Sequence, residues 1–308
     1  MKANIPMSVR IVIITTVVIL LTAAAIFLLR PADTDGGVYM TVYFLDVGQG
    51  DAALIMTPEG SILIDAGTNA SEVDLIAALK KAGVHQLDCA VFTHAHEDHI
   101  GGADAVLSAF GADHVLLPEI AGEDAAGYVY ERLLTHLPDT AELIRITDKT
   151  DLHFGPVGLT VFPPDAGDLQ TSGNEASLVI RVSYKDVSFL FMGDTEKEQE
   201  DALIERYGDS GELKSTVLRV GHHGSDTSTG DEFLDAVAPD YAIISVGAGN
   251  SYGHPTSRVL TRLSERGIRV FRTDTDGTLI MKTDGQSVTI SAGKQASEAS
   301  RKRFIWQE

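Results

Sequence analysis

Three histidines and two carboxylates are concentrated between His94 and His99, in the order His-Ala-His-Glu-Asp-His. Neutral imidazole and carboxylate groups are the usual protein ligands of zinc and similar divalent ions. His94 and His96 alternate, so in an extended segment their side chains point the same way. Asp98 and His99 are adjacent and point differently, which lets them serve a second ion. The spacing therefore predicts a metal centre rather than a polar loop with surface histidines.

The other candidate ligands share one location, the end of a predicted strand. They are Asp46, Asp65, Asp194, His222, His223 and His254. Loops at the ends of strands can converge on one cleft while the sheets hold them rigid. We therefore expect a two-metal site, in which ions about 3.5–4 Å apart polarise a phosphoryl or carbonyl oxygen and hold hydroxide between them.

Asp194 follows a strand-ending glycine, and its two carboxylate oxygens suit a bridge between the two ions; capping the next helix is the structural alternative. Asp65 fits a supporting role, in which it orients a ligand histidine through the second ring nitrogen, or a plain turn. Asp98, His99 and one of the paired histidines would hold the second ion. We favour His222 as that ligand and His223 as a general acid or phosphate donor, although the sequence alone fits either order.

Two further residues could contact a substrate. Ser225 directly follows the paired histidines and Gly224, where a hydroxyl can bind phosphate oxygens or simply form a turn. His254 lies between a glycine and a proline, and it fits either a proton donor for the leaving group or a structural role. The sequence contains neither a GxSxG elbow nor a Walker-type phosphate loop, which argues against a serine hydrolase and a P-loop enzyme.

The elements that must position these residues alternate between strands and helices. Runs rich in β-branched and aromatic residues predict strands that end just before the candidate ligands, including residues 39–45, 62–64, 87–92, 177–184, 187–192, 215–220 and 241–246. Apolar residues at helical spacing predict helices over residues 71–81, 103–110, 128–137, 196–207, 231–237 and 256–265. This mixture predicts an α+β fold with two sheets packed face to face and helices outside.

The charge of the chain limits its partners. It carries 24 basic and 44 acidic residues among 308, a formal net charge of −20. That balance argues against a broad non-specific grip on nucleic acid, which requires lysine and arginine. A phosphate substrate remains compatible, because bound cations invert the local field. Cys89 is the only cysteine, so no internal disulfide can form.

The N-terminal segment predicts a membrane location. Residues 11–29 are uncharged and almost wholly apolar, which is about the length that crosses a bilayer as a helix. Basic residues precede this run and acidic residues follow it, which predicts a cytoplasmic N-terminus and an extracytoplasmic remainder. A cleaved signal peptide and a secreted product are the alternative. The expected organisation is an anchor or signal over residues 1–30, a linker over 31–37, a hydrolase domain over 38–292 and a polar tail over 293–308.

Taken together, the motifs resemble the metallo-β-lactamase superfamily and, within it, the hydrolase domain of ComEC-type competence proteins. The resemblance is carried by residues 44–52, 93–102, 174–179, 193–194, 220–225 and 252–255. It implies a four-layer αββα sandwich and a hydrolase with two divalent ions, zinc or manganese. ComEC-type proteins carry many membrane spans, whereas this chain has one apolar run. Asn174 stands near the place of a further metal histidine in that superfamily, so the ion at His94 and His96 is expected to be the more weakly held.

The expected function is hydrolysis of a phosphodiester by metal-bound hydroxide, with Asp98, His223 and His254 as the catalytic candidates. The resemblance points to extracellular DNA as the substrate, whereas the acidic balance fits a smaller phosphodiester such as a nucleotide or a choline-phosphate ester. Hydrolysis of another ester or amide is an alternative. A further alternative is a non-catalytic accessory of DNA uptake or of a surface assembly. The membrane is an expected partner through the N-terminal segment, and no protein partner can be identified.

Overall fold

A computed structural model of the chain describes residues 39–120, 127–164 and 173–293. The chain divides at Val38, and every described element lies in the unit from Tyr39 onward. The predicted anchor or signal over residues 1–30, the linker over 31–37 and all but the first residue of the predicted tail lie outside the described residues. Within the described ranges, no helix has both the length and the apolar character needed to cross a membrane.

The described strands form two sheets. In chain order they are β1 (Met40–Phe44), β2 (Ala53–Thr57), β3 (Gly60–Ile64), β4 (Leu87–Val91), β5 (Ala112–Pro118), β6 (Glu142–Ile146), β7 (Thr150–Phe154), β8 (Val157–Phe162), β9 (Val179–Tyr184), β10 (Val187–Phe191), β11 (Val217–Arg219), β12 (Tyr241–Ile244), β13 (Arg269–Arg272), β14 (Leu279–Thr283) and β15 (Val288–Ala292). The first sheet has the order β15-β14-β1-β2-β3-β4-β5-β6, and the second has the order β13-β12-β11-β10-β9-β8-β7.

Helices cover the outer faces of both sheets. They are α1 (Glu72–Ala82), α2 (Glu97–Ile100), α3 (Ala103–Phe110), α4 (Tyr128–Thr135), α5 (Lys197–Leu203), α6 (Asp231–Val237), α7 (Ser257–Glu265) and α8 (Thr273–Asp276). One apolar cluster packs α1, α3 and α4 against the first sheet, and another packs α5, α6 and α7 against the second. These six helices thus bury one apolar face each against a sheet, which is the expected behaviour of amphipathic helices.

The largest core cluster lies between the two sheets. Strand β1 shows how it arises, because Met40, Val42 and Phe44 are buried while the residues between them are half-exposed. Phe44 stacks on Phe191 of the second sheet with ring centroids 5.7 Å apart, and both residues end their strands. Alternating apolar residues from both sheets fill the space between them. The predicted four-layer αββα sandwich is confirmed.

Parallel neighbours bring the candidate ligands to one edge. Strands β3 and β4 run parallel in the first sheet, and β10, β11 and β12 run parallel in the second. The carboxyl ends of parallel strands lie at the same edge of a sheet. The segments that follow these strands begin at Asp65, Phe92, Met192, Val220 and Ser245, and they carry the predicted ligands.

Three predicted elements differ from the structure. The strand predicted over residues 177–184 begins only at Val179, because residues Gly173–Ala176 form a short 3-10 helix that ends in a hydrogen bond from the Ser177 N–H to the Asn174 carbonyl. The helix predicted over residues 196–207 changes from α to π geometry at Ile204. The third is the histidine segment, whose second half forms helix α2, absent from the predicted helices, and carries Asp98 and His99.

Candidate metal centre

His94 is held in the extended segment that follows β4. Its ring is buried, and Nδ1 lies 3.1 Å from the Thr93 hydroxyl and 3.3 Å from the Ser177 hydroxyl. The Thr93 hydroxyl donates its own hydrogen to Asp65, so it can accept one from His94 Nδ1. This arrangement leaves Nε2 of His94 unprotonated, and that buried nitrogen has no hydrogen-bond partner. The ring of His96, which is half-exposed, meets the His94 ring edge-on with centroids 4.6 Å apart.

Asp65 fixes the orientation of His99. One carboxylate oxygen accepts the backbone N–H of Thr93, and the other lies 2.8 Å from both the Thr93 hydroxyl and Nδ1 of His99. Because a carboxylate can only accept, His99 carries a hydrogen on Nδ1 and presents Nε2 to the site. That nitrogen lies 3.1 Å from Oδ1 of Asp194. The two atoms are close without the alignment of a hydrogen bond, as two ligands of one cation would be.

Asp194 lies between two groups of histidines. It is buried at the end of the segment after β10. Its Oδ1 is 3.1 Å from His99 Nε2 and 3.7 Å from His223 Nε2. Its Oδ2 is 4.0 Å from His94 Nε2 and 3.9 Å from His222 Nε2. The two oxygens of one carboxylate thus face different histidines, which is the arrangement that a bridging ligand requires.

The paired histidines diverge because both residues adopt positive φ angles, 46° at His222 and 52° at His223. His223 is buried, and its Nδ1 lies 2.9 Å from the Ser245 carbonyl. A guanidinium nitrogen of Arg219 lies 3.2 Å from the same Nδ1. The carbonyl is the closer partner and can only accept, which favours a hydrogen on Nδ1 and directs Nε2 into the site. That Nε2 lies 3.2 Å from Oδ2 of Asp98. His223 therefore points into the carboxylate cluster.

His222 points toward the rim of the site. Its side chain is 24% exposed, and its Nδ1 lies 3.0 Å from a carboxylate oxygen of Glu196. The other ring nitrogen lies 3.5 Å from the side-chain amide of Asn174. The sequence favoured His222 as the ligand and His223 as the residue facing the substrate. The geometry favours the opposite order, because the backbone turn buries the second histidine and not the first.

The histidines and carboxylates of the site shift one another's pKa values. Burial and the charge of His99 lower the pKa of His94 well below its ordinary value. Burial opposes a charge on His99, but the carboxylates of Asp194 and Asp65 raise its pKa well above its ordinary value. Burial likewise opposes a charge on Asp194, yet the charges of His99 and His223 hold the pKa of Asp194 well below the usual range.

Asp98 completes this pattern. Burial disfavours its charge, but a hydrogen bond from His223 and the charges of His99 and His223 hold the pKa of Asp98 below its ordinary value. Metal ligands must be deprotonated to bind. Both carboxylates and His94 therefore meet that condition at neutral pH, and a bound cation would displace the proton of His99.

Unsatisfied buried atoms show that the donor set fits divalent cations. In the described part of the chain, two groups bring ligand atoms within 4.8 Å of one another, namely Asp51, His99, Asp194 and His223, and His94, His96 and Asp194. Nε2 of His94, Nε2 of His99 and Oδ1 of Asp194 are buried without a hydrogen-bond partner. Burying such atoms unpaired is costly, and a shared cation would satisfy all three.

Asp51, a member of the first of these ligand groups, forms a buried ion pair with Arg219 that the sequence analysis missed. Its carboxylate lies 3.7 Å from Nδ1 of His99, the nitrogen that Asp65 already engages. Arg219 donates to the Gly193 carbonyl. Burial lowers the pKa of Arg219 to about 9, so the guanidinium stays charged at neutral pH. A charged residue inside the otherwise apolar β11 was the one available sequence signal.

The remaining predicted residues surround the cluster. The Asp46 N–H donates to the Thr278 hydroxyl at 3.0 Å, and Asp46 belongs to neither ligand group. Asn174 donates to Glu196, and its side-chain oxygen is buried without a partner. The buried Ser225 hydroxyl lies 3.0 Å from the Thr227 hydroxyl. His254 is half-buried with its ring centroid 5.7 Å from that of His222, and burial and the charge of His222 lower its pKa.

Two helix-covered β-sheets with a histidine–aspartate cluster at one edge define the chain as an αββα protein with a candidate metal site. A profile of the metallo-beta-lactamase superfamily matches residues 45–248, and the chain belongs to that superfamily.

The chain is also similar to competence proteins, which confirms the resemblance read from the motifs. ComE operon protein 3 of Bacillus subtilis (strain 168) is 33% identical over 283 residues, which is 79% of this chain and 35% of that protein. Competence protein ComA of Neisseria gonorrhoeae is 33% identical over 270 residues, covering 85% of this chain and 34% of that protein. The chain thus spans about a third of the length of these relatives.

Solved structures show the same fold. Tm1679, described as a metal-dependent hydrolase of the beta-lactamase superfamily, superposes with a TM-score of 0.50 at 15% sequence identity. The match covers 76% of this chain and 95% of that protein. At this level of identity the likeness concerns the fold alone.

Proposed function

We propose that the chain is a metal-dependent phosphodiesterase that holds two divalent ions, zinc or manganese, at the edge of its sheets. The observation that carries the proposal is Asp194, whose two oxygens face two different groups of histidines at 3.1–4.0 Å. His94, His96 and Asp194 would hold the first ion. His99, Asp194 and His223 would hold the second together with Asp98, which lies 3.2 Å from Nε2 of His223 but belongs to neither of the two ligand groups.

The first ion would be the weaker bound, because it has fewer side-chain ligands. Asn174 stands where a further ligand would come, and its buried side-chain oxygen has no partner. That oxygen can accept a hydrogen bond from a water molecule that completes the coordination, or it can approach the ion directly. The second ion has four side-chain ligands, with His99 held by Asp65 and His223 held by the Ser245 carbonyl.

At a site held by these residues, divalent ions would supply a lowered pKa of bound water and polarisation of a phosphoryl oxygen. The residues of the chain supply the rest. His222 is partly exposed at the rim and can donate a hydrogen bond to a non-bridging phosphate oxygen. His254 stands beside His222. Its lowered pKa keeps it neutral at neutral pH, so it would orient the leaving group with a ring N–H.

Similarity to proteins named for competence supports a nucleic-acid phosphodiester as the substrate. Those names describe a process and not a reaction, and the chain spans about a third of those proteins. A non-catalytic accessory of DNA uptake is therefore the second candidate. Hydrolysis of another ester or amide would use the same ligand set.

The test uses the full chain, stripped of metal with a chelator and reloaded with manganese or zinc. We expect about two ions per chain and turnover of bis(p-nitrophenyl) phosphate only in the reloaded protein. Asp98→Ala and His99→Ala should abolish turnover while the circular dichroism spectrum is retained. Asp194→Ala should lose bound metal as well.

Asp186→Ala is the matched control. This exposed aspartate precedes β10, at the opposite end of the strand from Asp194, and its loss should change neither metal content nor turnover. Absence of both bound metal and turnover in the wild type would refute the proposal. Bound metal without turnover of any phosphodiester would favour the accessory role or another substrate class.

A further inference from the structure

Tyr252 exposes an aromatic ring beside the candidate metal centre. It is 69% exposed, in the loop that connects β12 to α7. Its ring lies nearly parallel to that of His254, with centroids 5.8 Å apart and an angle of 15° between the planes. The His254 ring in turn contacts His222, which lies 3.9 Å from Asp194. A row of three rings, from His222 through His254 to Tyr252, therefore extends from the carboxylate of Asp194 to the surface.

The loop that carries this ring is held in place. The side-chain oxygen of Asn250 accepts the N–H groups of Tyr252 and His254 at 3.2 and 3.0 Å, and its amide donates to the His254 carbonyl at 2.7 Å. The N–H of Thr256 donates to the carbonyl of Gly224, in the turn of the paired histidines. The exposed ring is thus attached to the same turn that positions the metal-binding His223.

An exposed, fixed aromatic face next to a phosphodiester site suits a nucleobase. Aromatic side chains bind single-stranded nucleic acid by stacking on successive bases, and each stacked base contributes about 1–3 kcal/mol. The chain has a net charge of −20, so it cannot rely on neutralising many phosphates. Stacking contributes to binding of the substrate without requiring positive charge on the protein.

We propose that Tyr252, backed by His254, stacks on the nucleobase next to the scissile phosphate. The preferred substrates would then be single-stranded nucleotide phosphodiesters, because the bases of a duplex are already stacked on their neighbours. This inference rests on the proposed phosphodiesterase function and narrows its substrate class. Tyr252 acts by binding the substrate and takes no part in bond cleavage.

The test compares three dinucleotides on the metal-loaded full chain, namely thymidylyl-thymidine and two analogues in which one thymine is replaced by hydrogen on either side of the phosphate. For the wild type, removal of one of the two bases should lower kcat/KM by about 5- to 150-fold, which corresponds to the energy of one stacked base. Tyr252→Ala should lower kcat/KM on the intact dinucleotide by the same factor. On the analogue that lacks the stacked base, Tyr252→Ala and the wild type should have the same kcat/KM.

Two variants control for the ring. Tyr252→Phe keeps the aromatic face and should retain wild-type kcat/KM. Tyr128→Ala removes a tyrosine of similar exposure, 72%, which packs against Arg132 and not against a histidine of the site, and it should change nothing. As a readout without catalysis, Tyr252→Ala should weaken binding of a fluorescein-labelled oligothymidylate to the metal-free chain by about the same factor, measured by fluorescence anisotropy.

The outcomes separate this inference from the proposed function. If the wild type hydrolyses the intact dinucleotide and both analogues with the same kcat/KM, the inference is refuted and the proposed phosphodiesterase function stands. Faster turnover of glycerophosphocholine, lost in Tyr252→Ala, would assign the ring to a quaternary ammonium group and also refute it. No hydrolysis of any phosphodiester would overturn both.

Discussion

Replacing Asp65 with asparagine should weaken metal binding without touching a metal ligand. One oxygen of Asp65 accepts the N–H of Thr93, and an asparagine oxygen can keep that bond. The other oxygen accepts from the Thr93 hydroxyl and from Nδ1 of His99, both at 2.8 Å. In the variant an NH₂ group takes that place, so donors face donors. His99 must then move its hydrogen to Nε2, the nitrogen that faces Asp194.

The size of the effect follows from that change of tautomer. Loss of the partner that orients a metal-binding histidine typically costs about 10- to 100-fold in metal affinity, or about 1.4–2.7 kcal/mol. The lost hydrogen bonds also lower the free energy of unfolding, by about 1–3 kcal/mol. The free energy of unfolding of a typical domain is about 5–15 kcal/mol, so the variant should stay folded.

The deficit should also depend on pH. In the metal-free chain, Asp194 and Asp65 raise the pKa of His99, so below that pKa a cation must displace a proton and its affinity falls with falling pH. Removal of Asp65 lowers the pKa of His99 and moves this proton competition to more acid pH. The deficit of the variant should therefore be largest at alkaline pH and shrink as the solution is acidified.

The assay is a competition titration of manganese or zinc between the chelator-stripped full chain and a chromophoric chelator, at several pH values. Asp88→Asn is the matched control, because Asp88 lies in β4, next to the strand that Asp65 follows, and also accepts a backbone N–H, that of Ser61 at 2.7 Å. It should bind metal as the wild type does. An affinity of Asp65→Asn within twofold of the wild type, or an equal loss in Asp88→Asn, would refute the reasoning.

Three further predictions concern the paired histidines, the buried ion pair and a buried carboxylate. His223→Ala should lose one of two bound ions by elemental analysis, whereas His222→Ala should keep both and lose turnover; the reverse would restore the order favoured from the sequence. Arg219→Met should lower the free energy of unfolding in urea by about 3–5 kcal/mol, because it leaves Asp51 buried without its partner. In the double variant with Asp51→Asn, more than half of the lost free energy of unfolding should return. If the losses of the two single variants simply add in the double variant, the pairing is contradicted. Burial raises the pKa of Glu200 from 4.5 to about 7, against opposing backbone hydrogen bonds. The stability of the wild type relative to Glu200→Gln is therefore greatest below pH 4.5 and should fall by about 3 kcal/mol as the pH rises through 7; parallel stability profiles of the two proteins would exclude this titration.

The layers of the fold and the position of the ligands follow from local sequence. Alternating apolar residues predict the strands, helical spacing predicts the outer helices, and turns rich in glycine mark the strand ends where the polar residues collect. The αββα sandwich could be predicted for this reason. The exact start of β9 could not, because it depends on the short 3-10 helix around Asn174.

The roles within the site depend on tertiary contacts that local sequence does not contain. His222 and His223 are chemically identical neighbours, and the choice between them depends on the carbonyl of Ser245 in the distant segment after β12. Asp51 lies in the loop between β1 and β2 of the first sheet, and Arg219 ends β11 of the second, so their pairing becomes visible only when the sheets pack. The same holds for Tyr252, whose exposure beside His254 gives it a role that the sequence motif alone did not indicate.

The central claim is that Asp194 bridges two divalent ions. Anomalous diffraction from crystals of the manganese-loaded full chain tests it most directly. We expect two anomalous peaks about 3.5–4 Å apart, one beside His94 and His96 and the other beside His99 and His223, each in contact with a different oxygen of Asp194. A map with no peak at Asp194, or with ions bound only elsewhere on the chain, would contradict the claim.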